Sequence, residues 1–289
     1  MRKRVSPNKQ WTSASILVNR FHLGKKTDFE QFFPDQVKEA AVESDKAELF
    51  FEPIEERIGS IHYSWLVPVI QKKNPATRQL ILAALPQQIR EKLAPLLEEK
   101  LPDYELKAPF RTWVLSTFAI TWTDFQKTLS PKFLPDSDLT PLLSLSKKEL
   151  VLLIDYLGIY DLSQEIRTVV DKKLIEMLYK CLSNQKRHFL RIALHQKEKT
   201  PAPSLNFEHW DGDAKKLFRL LHHRGIVRLA VSLSGQSELL TWHFIHALDV
   251  GRGEKLAKYI QPNAIPLLTN QRIKQVLSVF NFIKNKRPS

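Results

Sequence analysis

Between Lys72 and Lys100 the chain reads KKNPATRQLILAALPQQIREKLAPLLEEK, two short helices whose start signals are written into them. Asn74 can accept a backbone N–H as a cap, and Pro75 stands at the first helical position, where its missing N–H costs nothing. Ile81, Leu82 and Leu85 then form one apolar face, and Pro86 restarts a second helix that turns Ile89, Leu93, Leu96 and Leu97 the same way. Helices this short cannot bury such faces alone, so the pattern demands stacking on neighbours. The scarcity of glycine (8) beside 17 prolines suits short helices joined by tight turns better than a glycine-rich barrel or sandwich.

The same punctuation recurs along the chain. Residues 1 to about 30 read as a basic arm, and 35–58 as a helix with loosely spaced Val37, Ala40, Ala41 and Ala47, ended by Pro53. Ser60 is positioned to cap a helix over 61–71 that Pro68 bends. RTWVLSTFAITW (111–122) reads as a helix because its surroundings are helical. Pro131, Pro135 and Pro141 then mark 131–145 as a linker. Ser146 and Glu149 form a capping box, with Gly158 as the stop signal and Asp161 and Ser163 opening another helix. Leu174, Met177, Leu178 and Cys181 line a further helix, His188–Leu194 forms a short one, and 197–203 is a surface loop. Asp213 caps a helix that Gly225 breaks. The next run ends at Gly235, Ser237 caps another helix closed by Gly251 and Gly253, and Pro266 precedes a last helix with Ile273, Val276, Leu277, Phe280 and Ile283 on one face. The expected organisation is all-α: an arm and helical segment at 1–58, a helical domain at 59–130, the linker at 131–145, and a stack of armadillo- or HEAT-like units at 146–289.

The formal charge of +13 is unevenly spread, since residues 31–60 hold eight acids against three bases. The remainder is therefore basic, and such a field attracts nucleic acid, anionic lipid or acidic protein surfaces. A single cysteine, Cys181, excludes an intrachain disulfide and a cysteine-based zinc site, and points to a reducing, cytoplasmic setting. No apolar run approaches the roughly 18–20 residues of a membrane span, and the basic start at Arg2–Arg4 is not followed by the apolar core of a signal peptide.

No catalytic constellation emerges, and no enzyme activity, cofactor or resident metal is expected. Gly251-Arg-Gly253 lacks the third glycine and preceding strand of a dinucleotide loop and the Lys-Ser/Thr of a P-loop. His222, His223, His243 and His246, with Asp249 nearby, have ligand chemistry. They suit better the ends and flanks of packed helices, where positive charge is favoured at a C-terminus. Cys181 falls on an apolar helix face, as a small core residue does. Arg219, His222, His223, Arg224 and Arg228 crowd ten residues, enough to grip phosphates or an acidic protein. Without interleaved aromatics or a helix-turn-helix signature, a nucleic-acid-binding module is the second reading behind a protein-binding scaffold. Arg224, Arg228 and Trp242 are the expected interface anchors in the C-terminal part.

The segment LVPVIQKKNPATRQLILAALPQQIREKLAPLL resembles the middle domain of the flagellar rotor-switch protein FliG, in which a helix leads into a Glu-His-Pro-Gln turn, an apolar helix and a Leu-Pro restart. Here that turn is Lys73-Asn74-Pro75-Ala76, and the proline is the residue that matches. LSLSKKELVLLIDYLGIYDLSQEIRTVVDKKLIEMLYKCLS resembles the same family's later armadillo unit, and RLLHHRGIVRLAVSLSGQSELLTWHFIHALDVGRGEKLAKYI is similar to type III secretion basal-body accessory proteins related to it. The likeness, of pattern more than identity, spans about residues 60–280. It implies an SctK-type sorting-platform protein at the cytoplasmic face of a bacterial inner membrane, without catalysis. Its implied partners are a membrane-ring protein (SctD- or SctJ-like) and an SctQ-like C-ring protein. By position in the FliG docking turn, Asn74, Pro75, Ala76 and Arg78 inherit a partner-binding role. No segment matches the charged motor helix of FliG, so a torque role is not implied.

Overall fold

Twelve α-helices and two short 3-10 turns make up all the regular structure among the described residues of the computed structural model, which are 54–122, 131, 134–196, 203–205, 207 and 210–285. The expected all-α class holds. The chain divides into two compact units, Met1–Glu56 and Arg57–Ser289. The expected basic arm, and the 35–58 helix up to Pro53, lie outside the described residues.

The first helices follow their sequence signals closely. After α1 (Ile54–Ser60) come a 3-10 turn at Tyr63–Trp65, α2 (Val67–Gln71), α3 (Pro75–Ala84), α4 (Gln87–Leu96) and α5 (Ala108–Ile120). Asn74 Oδ1 accepts from Thr77 N at 2.8 Å, which makes it the α3 cap its position predicts. Ile81, Leu82, Leu85, Ile89, Leu93 and Leu97 are buried, but Leu96 of the expected apolar face is exposed. Ser60 does not cap the next element; its hydroxyl donates back to Arg57 O, and His62 begins the 3-10 turn instead. Pro68, with no N–H to give, then starts a separate α2 rather than bending one long helix.

Residues 134–145 of the expected 131–145 linker are packed rather than free. Leu139 and Leu142 are buried in the core of the C-terminal helices, Pro141 opens the 3-10 turn Thr140–Ser144, and Ser137 Oγ donates to Gln236 Oε1 at 2.8 Å. Prolines punctuate a packed connection here as readily as a free one. Residues 61–66 also lie against the C-terminal helices. Trp65 Nε1 donates to Leu248 O at 2.8 Å, His62 N to His246 O at 2.7 Å, and Val250 N to Ser64 Oγ at 3.0 Å. Arg57–Ser289 is accordingly one compact unit rather than two domains. Trp65→Phe keeps most of the apolar contact and strands the Leu248 carbonyl, so it should lower stability by about 1 kcal/mol in urea denaturation.

The remaining helices are α6 (Lys147–Thr168), α7 (Lys172–Cys181), α8 (Asn184–Leu194), α9 (Ala214–Leu233), α10 (Glu238–Ala247), α11 (Val250–Tyr259) and α12 (Pro266–Lys284). The Ser146/Glu149 capping box forms with both of its hydrogen bonds, and Asp213 and Ser237 cap α9 and α10 as expected. Two expected breaks do not occur. Gly158 and Gly225 lie inside α6 and α9, and Asp161 and Ser163 are mid-helix and buried rather than a fresh start.

The reason lies in how α6 and α9 pack. A Cβ on Gly158 would sit 2.0 Å from Leu221 O, and one on Gly225 would sit 1.9 Å from Ile154 O. The glycines therefore mark a helix crossing so close that backbone meets backbone. The side-chain pairs flanking it, Asp155 with His222 and Asp161 with Arg228, advance together along both chains, so the two helices run in the same direction. α8, α12 and α11 complete the core around this pair, with Tyr156, Tyr160, Phe189, Val276 and Leu256 fully buried or nearly so. Each such side chain contributes about 1.5–3 kcal/mol of burial. Gly251 and Gly253, expected to end a helix, fall inside α11, which Asp249 caps; the position of a Cβ on Gly253 is already taken by Ile245 O and the Trp65 ring.

Candidate functional site

The residues expected to bind partners do not form one surface. Asn74, Pro75 and Ala76 are exposed at the start of α3, with the Asn74 side chain committed to its cap. Arg78 is structural: its Nε donates to Lys73 O at 2.9 Å, Nη2 to Gln71 O at 2.9 Å, and Nη1 faces Glu99 Oε1 at 3.5 Å. It clips the α2–α3 turn shut.

Arg228 is not a surface anchor. It is 3% exposed, its Nε donates to Asp161 Oδ1 at 2.6 Å, and its Nη1 donates to Gln275 Oε1 at 2.7 Å. Asp161, 4% exposed, supplies the carboxylate that makes burying a guanidinium tolerable. Arg224 is partly buried, with Nη2 donating to Pro203 O and Ser204 O and Nε lying 3.5 Å from Asp161 Oδ2. Within the basic run of α9, then, Arg219 faces solvent while Arg224 and Arg228 hold the helix in place, and no continuous phosphate-binding face results.

The four histidines also part company. His222 bridges two partners, with Nε2 2.9 Å from Arg252 Nε and Nδ1 2.7 Å from Asp155 Oδ1. Asp155 also takes Lys186 Nζ at 3.1 Å. Burial raises its pKa, but the His222 hydrogen bond and Lys186 outweigh that and hold it below the usual carboxylate range. His223 packs edge-on to Tyr259, and His246 stacks on Trp242 with ring centroids 3.9 Å apart. Among the described residues no three His, Cys, Asp or Glu side chains come together as a metal site. No described helix is long and apolar enough to cross a membrane.

Two surfaces remain as candidates. The first is the outer face of α5. Steps of three and four residues place Phe110, Trp113, Thr117 and Ile120 on one stripe, roughly opposite the buried Val114, Leu115, Phe118 and Ala119. Phe110 (45% exposed) and Trp113 (59%) stack with centroids 5.6 Å apart and planes 12° from parallel, and Ile120 is 67% exposed.

The second is a cleft of about 1320 Å³ walled by the first turns of α4 and α6, residues 59–63, and α10 with the start of α11. Trp242 lines it, partly buried, and its indole Nε1 is buried with no acceptor among the described residues. Lys147 reaches across the wall, its Nζ donating to Gly59 O at 3.0 Å and to Ile61 O. Burial, and secondly the nearby Lys92 charge, lower its pKa to about 8. His62 is lowered as well, by burial and then by Lys147. Asp249 pairs with Arg252, which holds its carboxyl below the usual range against the opposing effect of burial. Nothing in the sequence marked Lys147 beyond its place within the capping box. Compared with known proteins, the chain finds no counterpart: no family model, no curated protein and no solved structure matches it.

Proposed function

We propose that the protein is a non-enzymatic helical adaptor at the cytoplasmic base of a type III secretion apparatus, where it links an inner-membrane ring protein of SctD or SctJ type to a C-ring protein of SctQ type. The observation that carries the adaptor reading is the stacked, outward-facing Phe110–Trp113 pair on α5. A folded chain gains nothing by holding two large aromatic rings in water. Trp and Phe in an aligned apolar stripe are the composition of an interface centre. The secretion-platform assignment rests on the resemblance over residues 60–280, and the armadillo-like description of the helix stack belongs to it. Asn74, Pro75 and Ala76 remain exposed and keep the docking role the resemblance gives them, whereas Arg78 acts on them by fixing their turn.

The test is co-purification with the tagged full-length chain from cells that build the apparatus. Phe110→Ala and Trp113→Ala should each weaken recovery of the ring protein or the C-ring protein, and the pair should lower affinity by about 2–4 kcal/mol with unchanged helicity. Undiminished recovery of both proteins would remove α5 from the interface.

A further inference from the structure

We propose that the cleft between α4, α6 and α11 is a docking groove for an acidic, apolar-anchored peptide segment of a partner protein. The inference rests on the adaptor reading and supplies the chemistry of one partner segment.

The charge in the cleft is what selects the occupant. Lys92, Lys147, Lys148 and Arg252 line it against Glu91 and Asp249. Both acids are already engaged, Asp249 by Arg252 and Glu91 Oε1 by Gln87 Nε2 at 2.8 Å. Lys92 makes no hydrogen bond or ion pair among the described residues; its ammonium lies 5.4 Å from the Tyr63 ring centroid. Lys147 is satisfied by two neutral carbonyls and by no carboxylate. The Lys92 ammonium stands close enough to disfavour the charged form of Lys147, and no carboxylate pairs with either lysine among the described residues, so an incoming carboxylate relieves the site. The first turns of α4, α6 and α11 face the same space, and α4 has no side-chain cap, so its leading N–H groups add to the positive potential.

The remaining wall fixes the rest of the ligand. Ile61, Tyr63, Ile89, Leu143, Val151 and Trp242 are apolar or aromatic, which suits aliphatic side chains spaced between the acids. A volume of about 1320 Å³ exceeds the roughly 300–1,000 Å³ of small-molecule pockets and suits a peptide segment. Nucleic acid fits less well, because the wall offers mixed aliphatic groups rather than a row of stacking platforms.

The site carries a signature of its own. Around Lys147 stand His62 and Tyr63 at the 3-10 turn, Lys92 from α4, Lys148 from α6, and Asp249 and Arg252 at the start of α11. Above about pH 8 the free protein has lost the Lys147 proton, and binding a carboxylate must take it back up, so affinity falls as pH rises through that point. Protonation of His62 at lower pH acts in the same direction, and Lys147→Gln assigns the step near pH 8.

The experiment is fluorescence polarisation on the full-length chain with a labelled dodecapeptide, Glu-Leu-Glu-Glu-Leu-Phe written twice, beside its Gln-for-Glu counterpart and oligothymidylate. Saturable binding of the acidic peptide, at least about tenfold weaker for the Gln peptide, is the expected result. Lys92→Gln, an exposed side chain with no structural bond, should weaken binding by about fivefold. Lys147→Gln should remove the fall above pH 8, and Trp113→Ala should change nothing. Absence of saturable binding at millimolar peptide, equal binding of the Gln peptide, no effect of Lys92→Gln, or tighter binding of oligothymidylate would overturn the groove assignment. Loss of peptide binding in Trp113→Ala would move the site to α5, overturning the groove while leaving the adaptor reading intact.

Discussion

Gly225→Ala will destabilise the protein by about 3 kcal/mol or more, although helix propensity alone favours the change by about 0.8–1.0 kcal/mol. The new Cβ would sit 1.9 Å from Ile154 O, a backbone atom of a helix that cannot move aside without dragging the rest of α6 with it. Gly158→Ala meets the mirror-image obstacle at Leu221 O, 2.0 Å away, and should cost a similar amount. Gly251 is the control. Its added Cβ meets only the Asp249 side chain, at an ordinary 3.6 Å, so Gly251→Ala should be neutral or slightly stabilising. Urea denaturation followed by far-ultraviolet circular dichroism measures all three. A Gly225→Ala protein as stable as the parent would mean that α6 and α9 do not cross at this contact.

Asp161→Ala should be of similar size, about 3–5 kcal/mol, because it leaves the Arg228 guanidinium in the core without the carboxylate that faces it. The burial of the pair, not its mere existence, sets the scale: the exposed Lys216–Asp211 contact is worth little by comparison. The informative measurement is the double-mutant cycle with Asp161→Leu and Arg228→Leu. The double variant should be much less destabilised than the two single changes predict, since it removes both buried charges together. Strict additivity would show that the two side chains do not depend on each other.

Caps proved legible because they are local. Asn74, Ser146 with Glu149, Asp213 and Ser237 act within one turn of their own sequence. Gly158 and Gly225 were not, since a glycine within an apolar run reads as a stop unless its partner helix is known. A signal did exist. Asp155, Gly158 and Asp161 recur in step with His222, Gly225 and Arg228, each at three-residue spacing, which places charge, gap and charge on one face of each helix. The two faces complement each other. The basic run of α9 misled for the same reason: residue type gave Arg228 a charge, and only the fold turned that charge inward.

The site was less legible still. α5 is apolar on two sides, so its sequence does not say whether Val114, Leu115 and Phe118 or Phe110, Trp113 and Ile120 face the core. The decision comes from packing against α3, a contact between distant turns. The cleft is assembled from segments some 190 residues apart, and no local pattern announces the meeting of Lys92, Lys147 and Arg252.

The most direct test of the adaptor account is site-specific photocrosslinking in living cells, with a photoreactive phenylalanine analogue at Trp113 and, for comparison, at the exposed Lys172 on α7. The expected result is a discrete adduct from position 113, identified by mass spectrometry as the membrane-ring or C-ring protein, and none from position 172. Crosslinks from position 113 to nucleic acid alone, or no adduct at all in cells that assemble the apparatus, would contradict it.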